Sequence, residues 1–187
     1  SDGVVDGALS ARSPRVIADG RTFAYVLHEG KIRILVTQND VRAIQLAKAA
    51  LYAGVRLLMD KLNVDSVDRI RLAGAFGSHI DVKYAMVLGL IPDCRLENVT
   101  SAGNAAGSGA HIALVDRNSR EEIEREIRRI EKIETAVETR FQEHFVEAMA
   151  IPHKSAPFDE LAKAVTLPLR TDAPSDSRSS GRRRRRR

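Results

Sequence analysis

Residues Arg69–Ala110 read RIRLAGAFGSHIDVKYAMVLGLIPDCRLENVTSAGNAAGSGA and contain one structural unit twice. In the first unit a β-rich run, Arg69–Phe76, enters a glycine-containing turn, and Asp81 then begins a helix that Gly89 and Pro92 end. In the second unit Asn98–Ala102 enters a glycine-rich turn that leads into a helix through Leu114. Alternation of strands and helices is typical of α/β proteins with a largely parallel sheet. We therefore predict an α/β fold.

The residues ahead of these units predict a β-hairpin followed by a long helix. Phe23–Leu27 and Lys31–Val36 are β-rich runs separated by a short turn. Thr37 and Asp40 form a helix start, in which the threonine is the cap and the aspartate lies in the first turn. Apolar residues then recur at helical spacing for about six turns, which predicts an amphipathic helix packed against a sheet. The predicted buried stripe consists of Val41, Ile44, Ala47, Leu51, Val55, Leu58 and Leu62.

The residues after the second unit predict two further helices and a disordered end. Apolar residues keep helical spacing through residues 119–150, which permits one long helix, but Ile130–Ala136 also alternates as a strand does. We favour two helices separated by an extended break, the second ending at Pro152. From Thr171 onward no apolar residue is larger than Ala or Pro, so burial cannot offset the ordering entropy and disorder is expected.

The net charge of +5 is concentrated in the tail. Residues 170–187 carry eight arginines and two aspartates, a net of +6, which leaves −1 for the rest of the chain. The whole-chain charge therefore does not predict a basic surface on the folded part. The six arginines at 182–187 are able to bind nucleic acid or another anionic surface, and a solvated tail without structural consequence is the other interpretation.

Composition excludes several classes of protein. The chain has 187 residues, 43% of them hydrophobic, which is enough to bury a core. No apolar run approaches the roughly 18 residues of a membrane helix, and no secretory signal opens the chain, so we expect a soluble, cytoplasmic protein. The single cysteine, Cys94, cannot hold a zinc ion or an iron–sulfur cluster. The five histidines lack i, i+4 pairing, and we predict no protein metal site.

The two glycine-rich turns are the candidate ligand site. In open parallel sheets, ligands bind beyond the carboxyl ends of strands, where helix N-termini and backbone N–H groups face an anion. Neither turn has the spacing of a dinucleotide-binding fingerprint, and no lysine follows as in a phosphate-binding loop. The alternative is that the glycines serve only tight turns and close packing. Positive φ and close approach to a ligand are predicted for Gly74, Gly77, Gly103, Gly107 and Gly109.

Four blocks of sequence carry a resemblance to a known family. They are VTQNDVRAIQLAKAALYAGVRLL (36–58), RIRLAGAFGSHIDVKYAMVLGLIPD (69–93), GNAAGSGA (103–110) and FQEHFVEAMAIP (141–152). Together they resemble the C-terminal ATP-binding domain of the reductive activators of corrinoid enzymes. These proteins belong to the ASKHA superfamily of acetate and sugar kinases, heat-shock chaperones and actin. The opening SDGVVDGAL (1–9) is similar to a helix start of the same family, with Asp2 where serine is usual.

The resemblance implies part of one lobe of the kinase, chaperone and actin fold, with an incomplete sheet and flanking helices. Residues 1–36 would then supply a partial upstream helix and the hairpin, and residues 37–152 the ATP-binding subdomain. Residues 153–169 would be a peripheral segment, and residues 170–187 the disordered basic tail. Since the chain begins at Ser1 inside a patterned segment, we interpret it as a C-terminal fragment.

The resemblance also implies a function, namely ATP-dependent reduction that restores Co(I) in corrinoid proteins. ATP with Mg²⁺ would lie with its ribose and phosphates against Gly74, Ala75 and Gly77, and Gly103 and Asn104 would make second contacts. No catalytic residue is assigned. A [2Fe-2S] cluster would belong only to the missing N-terminal part. The implied partners are a corrinoid protein or corrinoid-dependent methyltransferase and the N-terminal domains of the same protein, with a homodimer among the candidate assemblies.

Side chains near the turns have structural interpretations as well. Asp6 and Asp81 are candidate Mg²⁺ ligands, but a helix cap is the more common use of an aspartate placed like Asp81. We interpret His79 as a surface histidine and Phe76 as a core residue, with stacking on adenine as the minority interpretation.

The sequence leaves two other functions open. The first is a non-catalytic interaction domain that docks a corrinoid protein, or a membrane through the basic tail. The second is a Rossmann-type protein that binds a dinucleotide.

Overall fold

The computed structural model describes residues 4–5, 8–9 and 13–167 as a set of small sheets and helices. Strand β1 (Val4–Val5) pairs antiparallel with β2 (Ala8–Leu9). Strands β3 (Val16–Asp19), β4 (Thr22–His28) and β5 (Ile34–Thr37) form an antiparallel sheet in that order. The predicted hairpin is therefore confirmed, with a register irregularity between Val26 and His28.

The parallel part of the fold is smaller than the sequence suggests. Strand β6 (Ile70–Ala73) pairs in parallel with β7 (Val99–Gly103), and the other strand pairs among the described residues are antiparallel. The expectation of a largely parallel sheet is wrong because the strands before residue 38 are joined by short turns, which permit only antiparallel pairing. The helix start expected at the N-terminus is also wrong for its described residues, which form β1 and β2.

The helices follow the predicted order. Helix α1 (Gln38–Leu62) precedes β6; α2 (Ala75–His79) and α3 (Val82–Leu88) lie between β6 and β7; and α4 (Ala105–Val115), α5 (Arg117–Ile127), α6 (Thr139–Ala148) and α7 (Asp159–Ala164) complete the chain. The two helices predicted around an extended break in residues 119–150 are confirmed as α5 and α6. No helix in the described ranges is both long and apolar enough to cross a bilayer.

Local signals set the ends of α1 and α3. The Thr37 side chain accepts from the Asp40 N–H, and the Asp40 carboxylate accepts from the Thr37 N–H at 2.8 Å, which completes the capping box. Asp81 caps α3 by accepting from the Tyr84 N–H at 3.1 Å, and Gly89 ends this helix in the left-handed conformation. The sequence correctly predicts each of these ends.

The buried face of α1 is not the predicted one. Helix α1 packs along α6, and the predicted stripe lies mainly on the other side of the helix. Within that stripe Val41 is buried and Val55 is half-buried, whereas the remaining positions are exposed. The residues that α1 buries are Val41, Gln45, Lys48, Ala49, Tyr52, Ala53, Leu57 and Met59.

The main core lies between α1, α3, α7 and the β6–β7 pair. It contains Ala49 and Tyr52 of α1 together with Met86, Phe158 and Leu161. The segment 153–169, which was expected to be peripheral, therefore supplies two buried side chains, Phe158 and Leu161, to the same core. The basic tail from residue 170 and Asp6 lie outside the described residues.

Candidate functional site

The two predicted turns lie side by side at the carboxyl ends of β6 and β7. The two strands pair in parallel, with Ile70 opposite Val99. Both strands therefore end at the same edge of the sheet. There the Gly74 N–H donates to the Gly103 carbonyl oxygen at 2.8 Å, which joins one turn directly to the other. The structure thus brings the two sequence-predicted turns together.

Two of the predicted glycines have the backbone conformation that requires glycine. Gly74 has φ of +94° and Gly103 has φ of +60°. A Cβ atom built on either residue meets no atom within 4 Å, so the space above both turns is open. The residue type is set here by backbone conformation, and no other part of the described chain occupies the position that a side chain would take.

Positive φ is wrong for the other three glycines, because all of them lie inside helices. Gly77 is in α2, where a Cβ would lie 2.8 Å from the backbone of Leu72, so glycine permits close packing of this helix on β6. A Cβ on Gly107 would lie 2.5 Å from the Asn104 amide, whereas Gly109 has open space. The packing alternative therefore explains Gly77 and Gly107.

Asn104 has a defined role at the start of α4. It is the helix cap, and its Oδ1 atom accepts from the Gly107 N–H at 3.0 Å. This contact uses one lone pair of the amide oxygen and identifies the other end of the amide as the NH₂ donor. Ala75 begins α2 and is exposed, as is Asn104 itself. Gly74, Ala75, Gly103 and Asn104 therefore share this edge, whereas Gly77 packs against β6.

Carboxylate and imidazole groups do not collect at this edge. Within the described ranges no three His, Cys, Asp or Glu side chains come together in a way that could hold a metal ion. Asp81 is used as the cap of α3, and His79 is an exposed residue at the end of α2. Nothing is assigned to Phe76, whose side chain lies outside the described part, or to Asp6.

A second polar region lies between α1 and α6, and the sequence analysis missed it. The Asp60 carboxylate contacts His144 Nε2 at 2.6 Å and Arg140 Nη1 at 3.1 Å. Arg56 lies 3.7 Å from the same carboxylate. Burial alone would raise the pKa of Asp60, but the His144 hydrogen bond and the neighbouring positive charges hold this pKa below its ordinary value of 3.8.

Arg56, Arg140 and His144 form one wall of a cavity of about 470 Å³, which none of the five predicted site residues lines. Tyr52 and His153 line another part of it, with their rings 4.8 Å apart. Asp60 and His144 are 84 positions apart in sequence, so no local pattern could have revealed their contact.

Lys48 is the second feature that sequence reasoning missed. Its side chain is completely buried, and its ammonium donates to the carbonyl oxygens of Ala150 and Pro152, the latter at 2.6 Å. Burial lowers the pKa of Lys48 from 10.5 to about 8, so the amine stays protonated at pH 7 and remains a donor to both oxygens. Gln45 donates to the Met149 carbonyl at 3.0 Å and completes this clamp on the end of α6.

The mixed α/β architecture agrees with the ASKHA-type domain that the sequence resembles. A comparison with protein families agrees, because the model of the C-terminal ASKHA domain of RACo matches residues 2–162. The chain therefore belongs to this family of corrinoid reductive activator domains. This membership leaves the Rossmann alternative without support.

Two known proteins are similar to this chain over part of their length. The corrinoid activation enzyme RamQ of Eubacterium limosum is 47% identical over 91 residues, which are 48% of this chain and 15% of RamQ. A solved structure of a reductive activator for corrinoid, iron-sulfur protein is 30% identical with a TM-score of 0.70. That match covers 81% of this chain and 26% of the solved one. The chain thus spans a minor part of each relative.

Proposed function

We propose that this domain binds ATP, with Mg²⁺ on its phosphates, at the edge formed by the turns after β6 and β7. It does so as the C-terminal domain of a longer protein that reductively activates corrinoid proteins, restoring Co(I). The family membership and the printed names of both similar proteins support the activator role. The partner is accordingly a corrinoid protein or a corrinoid-dependent methyltransferase.

The observation that carries the ATP proposal is the pairing of Gly74 with Gly103. Both residues have positive φ, both have open space where a side chain would be, and a 2.8 Å hydrogen bond joins them. Helix α4 begins at Ala105, two residues after Gly103 and directly after its cap, Asn104. A helix N-terminus beside a bare backbone favours an anion such as a phosphate group.

The chain's own residues would act mainly through the backbone. Gly74 and Ala75 allow a phosphate or ribose to approach the main chain closely, and the Asn104 NH₂ group provides a side-chain donor. Magnesium keeps most of its waters and binds largely through the phosphates of a nucleotide, so it requires few protein carboxylates. The absence of a three-residue metal cluster among the described residues is compatible with that mode of binding.

The redox part of the function lies outside this chain. Reducing Co(II) to Co(I) takes one electron, and the single cysteine in 187 residues cannot hold the iron–sulfur cluster that would supply it. This domain would instead use the free energy of nucleotide binding to favour the conformation in which donor and corrinoid are docked.

Equilibrium binding of labelled ATP with Mg²⁺, measured on the full activator and on this chain, tests the proposal. The informative variant is Gly103→Ala and its matched control is Gly20→Ala, because Gly20 has φ of +58° and open space but lies in the β3–β4 turn. We expect both substitutions to destabilise the fold by about 1 kcal/mol, since each places a side chain in the left-handed region. Only Gly103→Ala should weaken ATP binding, by about tenfold or more, because it fills the proposed site.

Equal ATP affinity in the two variants would show that the nucleotide does not bind at this edge. If neither the full activator nor this chain binds ATP, the domain is a non-catalytic interaction module, the alternative that the sequence leaves open.

A further inference from the structure

Strand β7 has an irregularity directly before the second glycine turn. The parallel pairing places Leu72 opposite Ser101, but the next pair is Ala73 opposite Gly103. Ala102 is therefore an extra residue in β7, which is the arrangement of a β-bulge. Bulges bend a strand and are frequent beside functional sites. This bulge lies one residue before Gly103, so it sets the direction in which the chain enters the candidate site.

The side chain of Ser101 closes the bulge. The Gly103 N–H donates to Ser101 Oγ at 3.2 Å, and this hydrogen bond spans Ala102. The Gly103 carbonyl oxygen accepts from the Gly74 N–H. Both backbone polar groups of Gly103 therefore have a partner. Ser101 itself is exposed, so its hydroxyl is not part of the core.

The first turn is held in a similar way. Ser78 Oγ donates to the Gly74 carbonyl oxygen at 3.3 Å. Three hydrogen bonds thus connect Ser78, Gly74, Gly103 and Ser101 in a continuous series across both turns. Because the N–H groups of both glycines are already used, the glycines offer a ligand the shape of their backbone and not a donor.

The conformation of Gly103 depends on such contacts. Glycine populates positive and negative φ about equally, so the residue type permits the φ of +60° but does not select it. A single hydrogen bond shifts an equilibrium of this kind by about two- to tenfold. Gly103 leads directly into Asn104, the cap of α4. A change at Gly103 therefore moves the helix start that would face the phosphates.

We propose that Ser101 is a positioning residue for the phosphate part of the nucleotide. Its hydroxyl fixes the bulge and the left-handed Gly103, and it thereby directs the start of α4 toward the ligand. Ser101 acts through Gly103 and contacts no reacting atom. The inference rests on the ATP binding proposed above.

Nucleotide affinities of the full activator test the role of Ser101. ATP with Mg²⁺ and adenosine, which has no phosphate, each compete against labelled ATP. Ser101→Ala removes the hydroxyl, and Ser101→Thr keeps it on a side chain that suits a strand. The matched control is Thr100→Val, which removes a hydroxyl at nearly constant size. Thr100 is the exposed neighbour in β7, and its side chain has no hydrogen bond within the described residues.

We expect Ser101→Ala to weaken ATP binding about fivefold and adenosine binding by less than about twofold, because the serine positions the phosphate end of the site. Ser101→Thr and Thr100→Val should bind both ligands as the wild type does. Urea unfolding without nucleotide should show similar midpoints for Ser101→Ala and Thr100→Val, since both residues are exposed.

Unchanged ATP affinity in Ser101→Ala overturns the proposal. An equal loss of affinity for ATP and adenosine also overturns it, because the serine then supports the fold in general. These results differ from a failure of the proposed function. In that case the wild-type activator itself binds no ATP, and the role of Ser101 is rejected together with the nucleotide site.

Discussion

The two sides of α1 have characters opposite to those of an ordinary surface helix. Its inner face is the side that packs along α6, and its outer face is the side that carries Leu51 and Leu58. The inner face buries Lys48 and Gln45 against backbone carbonyls and sets Asp60 among three basic side chains. The outer face is aliphatic and open to solvent. Polarity alone therefore does not identify the packed side of a helix, because buried polar groups are stable when each has a hydrogen-bond or ion-pair partner.

The sharpest test of this comparison uses adjacent leucines. Leu57 is 2% exposed and Leu58 is 51% exposed, so they differ in burial but not in chemistry. In the 187-residue chain we expect Leu57→Ala to lower the free energy of unfolding by about 3 kcal/mol, because it leaves a cavity in the core. Leu58→Ala should lower it by less than about 1 kcal/mol. Urea unfolding measures both, and equal effects would show that the two faces are not distinct.

Removing the Lys48 contacts should cause the next largest loss of unfolding free energy. Lys48→Met keeps most of the side-chain volume but leaves the Ala150 and Pro152 carbonyls without their donor, at a cost of about 2 kcal/mol. The control is Lys61→Met on the same helix, where an exposed ion pair with Glu138 is worth less than about 1 kcal/mol. If thermal unfolding shows a smaller effect for Lys48→Met than for Lys61→Met, the inner face is not held by its polar contacts.

The Asp60 cluster predicts a smaller effect that depends on pH. We expect Asp60→Asn to destabilise the chain by about 1 kcal/mol at pH 7, since the variant loses the carboxylate that contacts His144 and pairs with Arg140. A carboxyl whose pKa is lowered by folding stabilises the protein above its unfolded pKa of 3.8. This stabilisation is lost as the pH falls through the lower folded value. The difference between wild type and variant should therefore shrink below about pH 4.

Unfolding curves recorded between pH 3 and pH 7 measure this dependence. Asp65→Asn is the control, because Asp65 is exposed and contributes only its backbone carbonyl to Arg56. A difference that stays constant over this range would assign the effect of Asp60→Asn to packing rather than to charge.

The ends of helices in this fold were predictable from the sequence, but the side of α1 that is buried was not. The capping box at Thr37 and the left-handed Gly89 depend on a few neighbouring residues, and both are found as expected. Helical periodicity correctly predicts α1, but it selects its most continuous aliphatic stripe, which is the outer face. Which side is buried depends on distant segments such as α6, and a local pattern contains no information about them.

The same distinction applies to the candidate site. The strand-to-helix turns predict left-handed glycines. This holds for Gly74, which directly follows β6, and for Gly103, which is the last residue of β7. It fails for Gly77 and Gly107, which are already helical and whose size is set by contacts with Leu72 and Asn104. That the two turns meet follows from the parallel pairing of β6 and β7, which the repeated unit does predict.

The burial of Lys48 has a practical consequence for chemical probing of this domain. Its amine is enclosed by carbonyl oxygens and lies close to Gly89, so acylating reagents have no path to it while the chain is folded. Once the chain opens, the amine becomes an ordinary nucleophile like the exposed lysines. The rate of Lys48 acetylation, measured by mass spectrometry, would therefore report how often the chain unfolds, even in a mixture of proteins.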